Sequence, residues 1–295
     1  MKISDLDRQF KYYALYERGM QPKSYKGICS TLMMFCEFTH TEELKNIDSH
    51  MIREFLYHGR EARGWKSQTF RNHCQNFKSF FDWCRKNRFV DRDLLEGIEK
   101  PKRDKILPRC ICTEDARKVL YHAMMYTWRY SLEKYRNIAI LSTLMMAGLR
   151  LQELLDLEVS DVNLSSGFIM VREGKGRKDR AVAVHPKLLP MLAEYMQQKV
   201  KRGFLSLYFF TGAKSDKPMT QKDIRRICRK VGIAAGVKFT PHMLRHTFAR
   251  EMIDNDFNLY KLKEMMGHSD VTTTQRYLAI STKGIKNSLN QIEIF

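Results

Sequence analysis

Six residues of this chain could together break a phosphodiester. Arg150 lies in Ala147-Gly148-Leu149-Arg150-Leu151-Gln152-Glu153, and Lys175 in Gly174-Lys175-Gly176-Arg177-Lys178. His242 and Arg245 share Pro241-His242-Met243-Leu244-Arg245-His246, His268 follows Gly267, and Tyr277 ends Thr272-Thr273-Thr274-Gln275-Arg276-Tyr277. The set supplies a nucleophile, positive charge to hold a phosphate, and groups that move protons. Two arginines can grip two non-bridging oxygens with forked, charge-assisted hydrogen bonds, and Arg150 and Arg245 suit that task. Glu153, three residues after Arg150, is placed to steady it. Lys175 stands between glycines that allow close approach to a backbone, where it could give a proton to a leaving oxygen. Arg177, Lys178 and Arg180 are expected on the DNA backbone.

His242 and His246 are one helical turn apart, a spacing also used by zinc pairs. Met243, Leu244 and Arg245 fill the interval, and a central arginine repels a cation, so phosphate binding by His242 and Arg245 is favoured. His246 is expected to face the core or orient a neighbour. A phenol is a poor nucleophile at its ordinary pKa and needs cations or a base beside it. A short helix after His268 would present His268 and Tyr277 to one phosphate.

The chain must position these groups within 295 residues, enough for two domains. The formal charge is +19, the sign expected of a nucleic-acid binder. Residues 1–100 hold 18 Lys and Arg against 14 Asp and Glu, whereas the rest hold 34 against 19. The excess therefore lies in the part that carries the candidate site. No run of eighteen apolar residues suggests a membrane span, and the polar start Met1-Lys2-Ile3-Ser4-Asp5 is unlike a signal peptide. Seven cysteines without a zinc spacing fit free thiols in a reducing cytosol. A cytoplasmic, nucleoid-associated protein is expected.

Apolar spacing predicts four N-terminal helices: Ile3 to Arg18, Pro22 or Ser24 to Phe38, Ser49 to about Gly59 behind an Asp48 cap, and Ser67 to about Arg85. Arg60, Arg63, Lys66, Arg71 and Lys78 fall around the last two. Composition fits a DNA-facing surface and a solvated charged face equally well. Residues 98–110, with two prolines and several bases, read as a linker between domains 1–97 and 111–295. Beyond it the pattern is mainly helical: Leu132 to Ala147, Pro186 to about Lys201, Thr220 to Ala235, Thr240 to Asp254, Leu259 to Met266 and Val271 to Leu278. Residues 167–172 and 180–184 read as a β-hairpin with a polar tip. The tail 282–295 carries Ile285, Leu289, Ile292, Ile294 and Phe295, and either folds back or docks on a neighbour.

The runs Ala-Gly-Leu-Arg-Leu-Gln-Glu, Gly-Lys-Gly-Arg-Lys-Asp-Arg, Pro-His-Met-Leu-Arg-His-Thr-Phe-Ala, Met-Gly-His-Ser and Thr-Thr-Gln-Arg-Tyr resemble the signature boxes of the tyrosine recombinase (phage integrase) family, in the same order. The two-domain layout resembles its Xer-like members. The resemblance implies a mainly α fold with a small sheet in the catalytic domain, preceded by a four-helix, SAM-like core-binding domain. It implies site-specific recombination in which Tyr277 forms a 3′-phosphotyrosyl link and frees a 5′-hydroxyl. Arg150, Arg245, His242 and His268 would activate the phosphate, and Lys175 would act as general acid. Strand exchange would pass through a Holliday junction without metal, cofactor or ATP, in a homo- or hetero-tetramer on two DNA duplexes, with the tail docking in trans. Met266 stands where the family usually has leucine. Set beside lambda-type integrases, the short N-terminal part is expected to lack their arm-binding domain. A type IB topoisomerase-like nicking-closing enzyme and a non-catalytic DNA-binding regulator are the alternatives.

Overall fold

The computed structural model describes residues 1–104, 107–172, 179–268 and 270–278. It divides into two compact units, Met1–Ile106 and Leu107–Phe295.

In the first unit, α1 (Asp7–Tyr12) continues into a wider π turn, Tyr13–Glu17, followed by α2 (Pro22–Thr39), α3 (Ser49–Glu61) and α4 (Ser67–Lys86). Pro22 opens α2, where its missing N–H costs nothing. Asp48 caps α3 by accepting from the Met51 amide at 2.8 Å. The helices bury an aromatic core. Phe55 meets Phe35, Trp65 and Phe77 edge-on, with centroids 5.4–5.7 Å apart, the arrangement ring quadrupoles favour. Residues expected to belong to a linker pack here: Arg71 donates to the Pro101 carbonyl at 2.8 Å and Ser67 to Asp104 at 3.0 Å.

The second unit contains α5 (Thr113–Met125), α6 (Ser131–Met146), α7 (Leu151–Asp156), β1 (Val162–Asn163), β2 (Phe168–Val171), β3 (Arg180–Ala183), α8 (Leu189–Lys201), α9 (Gln221–Ala235), α10 (Pro241–Asp254), α11 (Leu259–Met266) and α12 (Val271–Gln275). The mainly helical fold with a small sheet matches the expectation from sequence. The sheet is antiparallel in the order β1-β2-β3, and Ile169 pairs with Val182 on its buried face. Residues 137–144 of α6 are all buried, as befits a helix apolar almost all round. It packs against α5, α8 and α10.

Three elements differ from the expectation. The strand β1 is only two residues long, too short for a period to register. His185–Leu188 form a turn, so α8 begins at Leu189 rather than Pro186, and Pro190 takes the first-turn position that tolerates proline. Finally, α12 stops at Gln275, and Tyr277 occupies the turn beyond it, its amide bonded to the Thr274 carbonyl at 3.0 Å. The tail 282–295 and the hairpin tip 173–178 lie outside the described residues. No described helix is long and apolar enough to cross a membrane.

Candidate active site

The site is built around the junction of α6 and α7 and the end of α11. Gly148 turns the chain between the first two with φ +62°, a left-handed conformation that glycine adopts without penalty. A Cβ there would lie 2.3 Å from the Phe248 ring. The Gly148 carbonyl accepts from Arg245 Nη1 at 2.6 Å. Gly148→Ala is therefore expected to destabilise the chain by about 1–3 kcal/mol through backbone strain alone and to displace Arg245. A thermal melt with a DNA-cleavage assay checks both; an unchanged Tm would contradict the packing described.

Arg150 stands just ahead of α7 and Glu153 in its first turn. The Glu153 side chain is 8% exposed and gathers charge from two directions. It accepts from the Arg150 amide at 2.8 Å and Nη1 at 2.6 Å, and from Arg180 at 2.9 and 2.7 Å, while Arg245 Nη1 is 3.8 Å away. Burial alone would raise its carboxyl pKa, but the hydrogen bonds from Arg180 and Arg150 outweigh burial and hold it down to about 2.

The arginines also seize the end of α11. Arg180 Nε donates to the Met265 carbonyl at 2.8 Å, Arg245 Nη2 to Met266 at 2.6 Å, and Arg150 Nη2 to Gly267. Three successive carbonyls at a helix C-terminus, otherwise orphaned, are thus held by three cations, where the helix dipole also favours positive charge. Gly267 is required twice over. Its φ is +60°, and a Cβ would sit 2.9 Å from Arg180 and 3.1 Å from Arg150. Arg180 is accordingly a correction to the sequence reading. Its donors serve Glu153 and Met265, and its side chain is mostly buried, so it braces the site from within rather than clamping a DNA backbone.

This bracing fixes His268 directly after Gly267. Its Nε2 lies 3.2 Å from Arg245 Nη2 and its Nδ1 2.9 Å from Thr274 Oγ1. Because a guanidinium only donates, Nε2 accepts and Nδ1–H donates to Thr274. Burial first, then Arg245 and Arg150, lowers its pKa to about 3, so it stays neutral. Arg245 is 4% exposed. Burial, with Arg150 nearby, lowers even its guanidinium to about 10, leaving it charged near neutral pH.

Tyr277 is buried among Phe248, Ala249, Ile253, Leu262 and Met266. Its hydroxyl lies 2.6 Å from His246 Nδ1. Burial raises its pKa, against the opposing pull of Arg245 and Arg276. His242, in the first turn of α10, is exposed, and its ring lies 6.3 Å from that of His246. Desolvation, then Arg245, Arg225 and Arg150, lowers its pKa.

The structure thus gathers Arg150, Glu153, Arg245, His246, His268 and Tyr277, with His242 alongside. Lys175, Arg177 and Lys178 lie outside the described residues. Thr274 was not singled out from sequence, and Arg180 was singled out for the DNA backbone rather than for bracing, since nothing local marks partners so distant along the chain. Among the described residues, no cluster of three or more His, Cys, Asp or Glu could hold a metal ion. In the other unit, Arg60 donates to the Trp65 carbonyl at 2.8 Å, Arg63 lies 3.7 Å from Met34 Sδ, Lys78 pairs with Asp82 at 3.2 Å, and Lys66 is exposed.

The phage integrase family profile matches residues 112–283, more than half of the chain. The chain belongs to the phage integrase family. Tyrosine recombinase XerA of Pyrococcus furiosus is 29% identical over 235 residues, covering 79% of this chain and 77% of the relative. Tyrosine recombinase XerD of Staphylococcus aureus is 29% identical over 258 residues, 85% of each chain. In three dimensions, XerH bound to palindromic difH substrate in a post-cleavage complex aligns with a TM-score of 0.75, at 21% identity over 97% of this chain and 84% of that one. A lambda integrase dimer bound to a COC′ core site aligns at 0.73, with 17% identity over 100% and 81%. These two likenesses show a shared fold. This Xer-like tyrosine recombinase is an enzyme that cleaves and rejoins DNA strands.

Proposed function

We propose that this recombinase exchanges strands between specific DNA sites through a covalent bond from Tyr277 to a 3′-phosphate. The observation that carries the reading is the convergence of these groups: Tyr277 bonds His246, Arg245 meets His268, and Arg245 and Arg150 hold the Met266 and Gly267 carbonyls just ahead of that histidine. The phenolic oxygen attacks phosphorus, the bond to the 5′-oxygen breaks, and Lys175 protonates that oxygen to release a 5′-hydroxyl. Arg150, Arg245, His242 and His268 offset the charge that builds on the non-bridging oxygens. The phosphotyrosyl ester conserves the phosphodiester, so a 5′-hydroxyl from a partner duplex reseals the strand without ATP. Two such rounds form and resolve a Holliday junction.

In the same reading, residues 1–97 are a core-binding domain that presents Arg60, Arg63, Lys66, Arg71 and Lys78 to the duplex. Arg177 and Lys178 follow the backbone from the hairpin, and the tail 282–295 docks on a neighbour within a tetramer on two duplexes. Work on chromosomal or mobile DNA places the protein with the nucleoid.

The test is a selection from nicked duplexes of random sequence, in which cleavage beside the nick loses the short strand and traps the adduct. Recovery of one preferred sequence, joined to protein without added metal or ATP, is the expected result. Failure to trap any DNA would overturn the reading. Affinity for a duplex should also fall about 10³- to 10⁵-fold between 50 and 200 mM salt, as expected for six to ten phosphate contacts. A flat salt dependence would exclude phosphate-led binding.

A further inference from the structure

The Tyr277 hydroxyl and His246 Nδ1 are 2.6 Å apart although 31 residues separate them. Both sides of the contact are fixed. His246 follows Arg245, which is held by the Gly148 and Met266 carbonyls. Tyr277 is held by the Thr274 carbonyl and by Phe248, Ile253, Leu262 and Met266. The other two histidines of the site are placed differently. His268 lies plane to plane with the Tyr277 ring at 6.5 Å, and both its nitrogens are already engaged, with Thr274 and Arg245. His242 lies in the first turn of α10, beyond His246, its ring 6.3 Å from that of His246. His246 is thus the imidazole bonded to the reacting oxygen.

We infer that His246 is the base that receives the Tyr277 proton as the phenol attacks the phosphate. The inference rests on the reading of Tyr277 as nucleophile and assigns a step that reading leaves open. The proton passes from Tyr277 Oη to His246 Nδ1 as the Oη–P bond forms. The P–O5′ bond breaks, and the 5′-oxygen takes its proton from Lys175. In resealing, the incoming 5′-hydroxyl gives its proton to neutral Lys175, the P–Oη bond breaks, and the imidazolium of His246 returns the proton to Oη. The side chain touches the reacting atom in both directions, and protons balance over the cycle.

The surrounding charges link this base to the substrate. His242 and Arg245 face His246 from α10, Arg276 and Tyr277 from the turn after α12, and His268 from the end of α11; Cys110, ahead of α5, faces Tyr277. Burial first, then His242, Arg245 and Arg276, holds the imidazole of His246 down to about 4. A phosphate anion seated on Arg150, Arg245 and His242 offsets that positive field and strengthens the base.

The experiment measures single-turnover cleavage against pH, using the full chain and the nicked duplex recovered above. Wild type, His246→Gln, His246→Asn and Lys175→Ala are compared. A second duplex carries sulfur in place of the bridging 5′-oxygen, a leaving group that needs no acid. Glutamine can still accept a hydrogen bond from the phenol but cannot take its proton. His246→Gln should lose about 10²- to 10⁴-fold in rate, the usual worth of a general base, while DNA affinity holds within about threefold. The plateau that follows titration of the imidazole should vanish, and its rate should instead climb with hydroxide across the whole range. The sulfur duplex should rescue Lys175→Ala and leave His246→Gln slow.

A His246→Gln rate within about threefold of wild type, or rescue of that variant by sulfur, would overturn the assignment. Should both His246 variants fail to fold, Lys175→Ala on the sulfur duplex decides. A rate that falls toward acid pH and levels off above the titration of an imidazole supports a base; a flat profile, or one that climbs with hydroxide throughout, overturns it. An adduct formed by Tyr277→Phe would be a different failure, that of the nucleophile itself.

Discussion

Tyr277→Phe is expected to bind DNA as wild type does and to form no covalent adduct, with strand cleavage reduced by at least about 10⁴-fold, since no other group supplies the nucleophile. The substitution removes one oxygen from a buried ring and preserves the apolar packing against Phe248 and Leu262. It leaves His246 Nδ1 without its partner at 2.6 Å, a loss of about 1 kcal/mol, small beside the effect on chemistry. Duplex affinity, read by gel shift or anisotropy, separates the two effects. Affinity unchanged with trapping abolished is the expected pair of results. Trapping that persists would assign the nucleophile elsewhere.

Glu153→Ala should have the largest effect on stability. The carboxylate lies beneath Arg150, Arg180 and Arg245, and removing it leaves mostly buried guanidiniums uncompensated. Breaking a buried pair in this way costs about 3–5 kcal/mol. Cleavage should fall as well, because the same arginines hold the carbonyls ahead of His268.

The pH dependence has a definite sign. The folded-state pKa of Glu153 lies at about 2, below its ordinary 4.5, so its contribution is fully present above about 4.5. That contribution is lost as pH falls through about 2. The shift corresponds to about 3 kcal/mol. Urea midpoints at pH 7, 4 and 2.5 should therefore show the gap between wild type and Glu153→Gln narrowing only at the acid end. A gap constant over that range would mean that the charge of Glu153 does not matter to folding.

Local features of this molecule were legible in its sequence. The four N-terminal helices follow from apolar spacing and from punctuation such as Asp48 and Pro22, which act within one turn. The Arg150–Glu153 pair was legible for the same reason, since three residues along a helix face are neighbours. Partners distant along the chain were not. Arg180 follows a basic hairpin and reads from its surroundings as a phosphate contact, but the fold brings Glu153 to it from 27 residues upstream and Met265 from 85 downstream. The end of α12 was misjudged because Val271 to Leu278 keeps a helical pattern. The chain turns at Arg276 instead, and this carries Tyr277 toward His246 in α10. His246 was expected to face the core or orient a neighbour, and its neighbour proves to be the phenol.

The central claim concerns one covalent bond, and peptide mapping of the trapped complex tests it most directly. After digestion by protease and nuclease, mass spectrometry should find the residual nucleotide on the peptide containing Tyr277. It should be joined through its 3′-phosphate to the phenolic oxygen, with a free 5′-hydroxyl on the other DNA fragment. A nucleotide carried by any other residue, or attached through a 5′-phosphate, would contradict the mechanism proposed here.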